Sequence, residues 1–156
     1  GLAKIEVGFA RYQGLKTPPV FFPQLITMRA IAFAQSGQPA QGLKLIDDLL
    51  KDVNQERLER ELLPLLLLKG DLLLAVSPEN FIEAADLFRT VLSSKGHVGG
   101  KIIVLQAATK LCKLEMVAGK AQESGRMLAD IYASFTEGFE TIDLQQAKAV
   151  LDEWQE

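Results

Sequence analysis

Two glycine-framed stretches have the outline of a phosphate cradle. In such a cradle backbone N–H groups and a lysine hold the anion, and the next Ser or Thr holds magnesium. The first runs Gly37-Gln38-Pro39-Ala40-Gln41-Gly42-Leu43-Lys44. It places Leu43 where the lysine is needed, and Pro39 removes an N–H. The second, Gly96-His97-Val98-Gly99-Gly100-Lys101, is followed by Ile102 where a hydroxyl would bind the metal. Both read as turns. His97 is the only histidine, and no ligand or triad partner stands at a useful spacing from it. It reads as a solvated loop residue. Cys112 is the only cysteine, which rules out an internal disulfide. A reactive thiolate needs an electropositive, exposed setting. Cys112 instead falls at a small-residue position of a helix and reads as a buried, inert thiol. Glu56, Arg57, Glu59, Arg60 and Glu61 alternate in sign and read as a solvated helix face. No catalytic residue, cofactor or metal site follows from these residues, so the segment is expected not to be an enzyme.

The elements behind these residues are helical. The chain has 156 residues, 48% apolar and 24% charged, with a net charge of −3, which suits one folded domain. No Lys/Arg run marks a nucleic-acid footprint. The longest Leu-rich run, Leu62 to Leu68, is too short to span a membrane. Gly1-Leu2-Ala3-Lys4 lacks the pattern of a signal peptide. Gly1 reads as a cloning remnant on a fragment of a longer chain, and the expected location is the cytoplasm.

The spacing predicts a first helix from Leu2 to Tyr12, ended by Gly14 and Pro18-Pro19. A second, Phe21 to Ser36, carries Leu25, Met28, Ala32 and Gln35 on one stripe. Gly37 stops it, and Pro39 suits the first turn of the next. Glu56 to Val76 follows, with its regular part expected near Pro64. Ser77 to Asn80 is a turn, Phe81 to Leu92 a helix and Ser93 to Gly100 a loop. Ile102 to Val117 and Ala121 to Phe135 form the next pair, broken at Gly119. After Thr141, a good N-cap, a last helix aligns Leu144, Ala147, Leu151 and Trp154.

Small residues recur through these pairs. Gly42, Ala84 and Ser124 stand 42 and then 40 positions apart. Each has a large apolar residue four places on (Ile46, Phe88, Leu128) and another seven places on (Leu49, Val91, Ile131). A period of this size marks a stacked helical repeat. A small residue lets two helix backbones approach, and the residues at +4 and +7 lie on the same face. The preceding helix supplies a second small residue in each pair: Ala30, Gly70 and Cys112. One hairpin cannot bury both faces, so units stack. The expected fold is all-α, a tetratricopeptide-like right-handed solenoid of about seven or eight helices. One domain, 1–156, divides into an incoming second helix (1–16), repeats at 20–53, 55–95 and 100–135, and a capping helix at 141–156.

The stretch from Tyr132 to Leu151 resembles the closing segment of a bacterial family of large predicted ATPases with C-terminal tetratricopeptide-like repeats. These often carry an N-terminal class III adenylate/guanylate cyclase or winged-helix domain. Phe135-Thr136-Glu137-Gly138-Phe139 is the most specific phrase. Ser36-Gly37-Gln38-Pro39 with Gly42-Leu43, Lys69-Gly70-Asp71-Leu72-Leu73-Leu74, Ala84-Ala85-Asp86-Leu87-Phe88-Arg89 and Leu105-Gln106-Ala107-Ala108 also fit. The chain departs from the pattern at Gly99-Gly100, at Ile102-Ile103-Val104 and at the weakly basic Lys113-Leu114-Glu115-Met116.

The resemblance implies the C-terminal repeat module of a signalling or regulatory protein whose catalytic parts lie upstream. It also implies a concave face lined by the first helices, with Gln24, Thr27, Gln35, Asp71, Gln106, Thr109 and Lys113 toward the groove. These positions hold no Lys/Asn cluster, so a clamp for a terminal carboxylate is not expected. The expected partner is a protein or peptide, or the upstream domains of the same chain. The alternative is a small-molecule effector sensor of the kind found in transcription activators. A closed apolar pocket would favour the sensor, and an open groove the interaction module.

Overall fold

A computed structural model describes residues 1–13, 22–52, 59–94 and 100–155. The described residues form eight α-helices and no strand: α1 (Leu2–Gln13), α2 (Phe22–Gln35), α3 (Pro39–Asp52), α4 (Glu59–Val76), α5 (Phe81–Ser93), α6 (Lys101–Val117), α7 (Gln122–Ala133) and α8 (Ile142–Gln155). None is long and apolar enough to cross a membrane. Gly14, Pro18, Pro19, Phe21, Glu56, Arg57 and His97 lie outside the described residues.

Short turns fold α2 onto α3, α4 onto α5 and α6 onto α7. The first and third turns have the same chemistry. Gly37 and Gly119 adopt φ of 78° and 67°, a left-handed backbone that glycine takes without a side-chain clash. Gln38 N–H donates to the Phe33 carbonyl (2.9 Å) and Gly37 N–H to that of Ala34 (3.1 Å). Lys120 N–H donates to the Glu115 carbonyl and Gly119 N–H to that of Met116, both at 2.9 Å. Both are Schellman caps, which satisfy the last carbonyls of the helix. The second turn differs. A 3-10 turn, Pro78–Asn80, begins where Ser77 Oγ accepts from Glu79 N–H (3.3 Å), and the Asn80 amide donates to the Leu73 carbonyl (2.9 Å).

Three clusters of buried side chains run along the chain. Phe9, Ile26, Ala30, Ile46 and Leu49 join Leu65 and Leu72 of the following hairpin. Leu63, Leu67, Ala84, Phe88 and Val91 join Ala107 and Leu111. Leu105, Ala108, Cys112 and Leu128 join Leu144, Ala147 and Leu151 of α8. Each hairpin thus finishes burying its apolar face on the element that follows it. Full burial of a side chain such as Ile46, Phe88 or Leu128 contributes about 1.5–3 kcal/mol.

Backbones approach closely inside the hairpins. A Cβ on Gly42 would lie 2.6 Å from the Ala30 carbonyl oxygen and 3.1 Å from Leu72 Cδ2. At Gly70 the space belongs to the Phe88 ring, which a Cβ would overlap. Cys112 and Ser124 are both buried, and the Ser124 hydroxyl donates to the Ala121 carbonyl (3.3 Å). Gly125, on α7, gives its missing side-chain volume to the Trp154 indole of α8.

Two expectations about individual helices need correction. The buried face of α2 carries Ile26, Ala30 and Phe33, whereas Met28 is exposed. The stripe is rotated because the inward face follows the close contact at Ala30. In α4 the helix runs through Pro64 from Glu59 rather than starting near it. The ring costs one bond, to the carbonyl four residues back, and that loss falls beside the first turn.

Charged side chains tie the helices further. Arg29 makes a two-pronged pair with Glu6 (2.5 and 2.7 Å), and its guanidinium lies over the rings of Phe9 (4.6 Å) and Phe33 (5.5 Å), anchoring α1. Lys69 of α4 reaches Asp47 on α3 (2.9 Å) and Glu83 on α5 (3.6 Å). The hydrogen bond that Lys69 donates to Asp47 chiefly raises the Lys69 pKa, against the lowering effect of burial.

Candidate groove across the even-numbered helices

Beyond the contacts between successive helices, α2 touches α4, α4 touches α6 and α6 touches α8. This row lines a groove of about 430 Å³. Each helix presents residues at helical spacing, and so from a single face. Those from α2 are Thr27 and Ile31, and those from α4 are Pro64, Leu67, Leu68 and Asp71. Gln106, Thr109 and Lys110 come from α6, and Ile142, Asp143 and Gln146 from α8.

The polar residues are organised in two cross-helix links. Lys110 Nζ donates to both carboxylate oxygens of Asp71, at 2.8 and 2.9 Å, joining α6 to α4. Gln106 Nε2 donates to Asp143 Oδ1 at 2.8 Å, joining α6 to α8. Thr109 Oγ1 donates back to the Leu105 carbonyl at 2.8 Å. The lips are apolar and open to solvent: Ile31 is 38% and Ile142 71% exposed. Asp143 stands in the first turn of α8, where a carboxylate is favoured by the helix dipole. That helix begins when the Thr141 carbonyl accepts from Gln145 N–H (3.0 Å). The Thr141 hydroxyl donates to the Gly138 carbonyl (2.7 Å).

Four of the groove positions expected from sequence, Thr27, Asp71, Gln106 and Thr109, lie together on this lining. Lys113 borders a neighbouring cavity of about 350 Å³ with Leu74, Phe88, Leu114 and Val117. The Asp71–Lys110 pair lines both cavities and so lies at their boundary. Gln24 and Gln35 share the α2 face but fall a turn beyond the lining at either end. The sequence reading missed Ile31, Pro64, Leu67, Leu68, Lys110, Ile142, Asp143 and Gln146. A signal for part of this set was present. Pro64, Leu67, Leu68 and Asp71 stand at i, i+3, i+4 and i+7, the spacing of one helix face.

A further cavity, about 310 Å³, lies among α5, α6 and α7 and includes Arg89, Leu111, Glu115, Ser124 and Met127. Arg89 there is held by Glu115 (2.6 Å) and Asp86 (2.9 Å), and the bond to Glu115 chiefly raises its pKa. Cys112 is buried close by. Burial pushes its thiol pKa up, the hydrogen bond with Ser124 pulls it back, and the Glu115 charge adds to the rise. A thiol so placed stays protonated near neutrality and is a poor nucleophile. Among the described residues no group of three or more His, Cys, Asp or Glu side chains could hold a metal ion.

The groove can therefore receive a side chain or backbone through hydroxyl, amide and carboxylate groups, flanked by exposed aliphatic surface. No family model, no curated protein and no solved structure matches this chain.

Proposed function

We propose that this chain is a non-catalytic, tetratricopeptide-like helical scaffold. In this reading the hairpins stack with a right-handed turn. The groove holds a segment of a protein partner or of another domain of the same polypeptide. The observation that carries the reading is the convergence of α2, α4, α6 and α8 on one open groove, each through residues at helical spacing. Contact along the even-numbered row supports a concave inner face. The small residues Ala30, Gly42, Gly70, Ala84, Cys112 and Ser124 support a stack built from similar units. The exposed lips favour an extended or helical segment over an enclosed small effector. The resemblance at the C-terminal end supports a place in a larger cytoplasmic regulator with ATPase, cyclase or DNA-binding parts upstream.

The test is amide hydrogen exchange on the whole chain, with and without peptides selected from a displayed random library. Added protection is expected at α2, α4, α6 and α8. Protection confined to α3, α5 and α7 would refute the groove as the binding face.

A further inference from the structure

We infer that the groove selects peptide segments carrying a Lys or Arg beside an apolar residue, with Asp143 as the acceptor of the positive charge. The inference rests on the groove reading and adds the chemistry of its occupant.

It follows from the charges in the groove. Three charged residues line it: Asp71, Lys110 and Asp143. Asp71 is already matched, because Lys110 donates to both of its oxygens. Asp143 is not. Its Oδ1 accepts a neutral amide hydrogen from Gln106, and no described Lys or Arg pairs with it. Two lysines on the helices that carry Gln106 and Asp143 are committed elsewhere. Lys101 donates to the Ser134 carbonyl (3.1 Å), and Lys148 pairs with Asp152. The Gln106 bond fixes the carboxylate against α6, so its second oxygen is held for an incoming donor without further ordering.

Aliphatic surface lines the same groove. Ile142 precedes Asp143 on the α8 lip, and Ile31, Pro64 and Leu68 line the α2–α4 side. The groove thus offers one carboxylate with no described cationic partner, together with aliphatic surface from α8, α2 and α4. A cationic side chain with an aliphatic or aromatic neighbour complements both. An acidic segment would meet an unpaired like charge at the same point, which disfavours it.

Peptides from a displayed random library, selected on the whole chain and synthesised singly, provide the probe. They are expected to share a Lys or Arg next to an apolar residue. Asp143→Asn is expected to weaken them about tenfold, the scale of one charge-assisted hydrogen bond. Asp152→Asn, outside the groove, is expected to leave binding unchanged. Asp143→Lys, selected afresh, is expected to turn the preference toward Asp and Glu, a gain that an unfolded variant cannot produce. Peptides that need Ile31 (lost on Ile31→Lys) but show no basic preference, or bind Asp143→Asn equally well, would overturn this inference and leave the groove reading standing. Selection of no peptides, or of peptides indifferent to Ile31→Lys, would overturn both.

Discussion

Gly42→Ala tests the close packing of the first hairpin with a single carbon atom. At an ordinary helical position the change favours folding by about 0.8–1 kcal/mol. Here the new Cβ would stand 2.6 Å from the Ala30 carbonyl oxygen, well inside van der Waals contact, and 3.1 Å from Leu72 Cδ2. The first of these atoms belongs to the α2 backbone, so relief requires the two helices to separate. Separation loosens the contacts around Ile26, Ile46 and Leu49. Overpacking of this kind costs about 1–3 kcal/mol, and a clash with backbone belongs in the upper part of that range. After the helix-propensity gain, a net loss of about 1–2 kcal/mol is expected. For a chain of this length that lowers Tm by about 2–8 °C. Gly8→Ala is the control: it is helical, and a Cβ there would meet nothing within 4 Å. It is expected to be neutral or stabilising. Urea unfolding followed by far-UV circular dichroism gives both values, and a shifted midpoint at constant m reports stability. A Gly42→Ala protein at least as stable as the wild type would refute the close-approach argument.

Gly125→Val is expected to displace the Trp154 ring, shift the emission of the sole tryptophan to the red and cost about 1–3 kcal/mol; unchanged emission would contradict the packing of α8 on α7. Cys112 is expected to react with a water-soluble disulfide reagent only as urea unfolds the chain, whereas fast reaction without urea would contradict its burial. Burial raises the thiol pKa in the folded state, so the stabilising effect is complete below the ordinary thiol pKa and is lost as pH rises from there through the raised folded-state value. Between about pH 8 and about pH 10 the wild type should therefore lose stability more steeply than Cys112→Ala, and parallel curves would exclude this linkage.

Much of the local structure was legible in the sequence because turns depend on few residues. Gly37 and Gly119 stop helices through a backbone that side chains disfavour, and Pro39 opens α3. Tertiary choices were less legible. Met28 and Ile26 are both apolar, and spacing alone could not say which faces inward. The contact of Ala30 with α3 decided it. Gly70 meets the Phe88 ring across the 3-10 turn at Pro78–Asn80, a pairing that spacing alone does not give. The groove was half visible. Polar residues on the first helices pointed to Thr27, Asp71, Gln106 and Thr109. The lips are apolar and α8 reads as a cap, so Ile142, Asp143 and Gln146 do not stand out in the sequence. Lys110 escaped notice because its role depends on Asp71, a partner 39 residues away.

The two Schellman turns have a consequence for how the molecule can be rebuilt. The α2–α3 and α6–α7 units end their first helices on the same connector, a left-handed glycine with the same pair of backbone bonds, to which the first adds the Ser36 hydroxyl donating to the Ala32 and Phe33 carbonyls. A connector written almost wholly in main chain imposes little on the sequences it joins, so these two units are interchangeable parts at that joint. The α4–α5 unit is not, because its joint is keyed by the Ser77 and Asn80 side chains. Splicing a hairpin into this chain is accordingly easiest at 36–38 or 118–120, where the joint carries its own instructions.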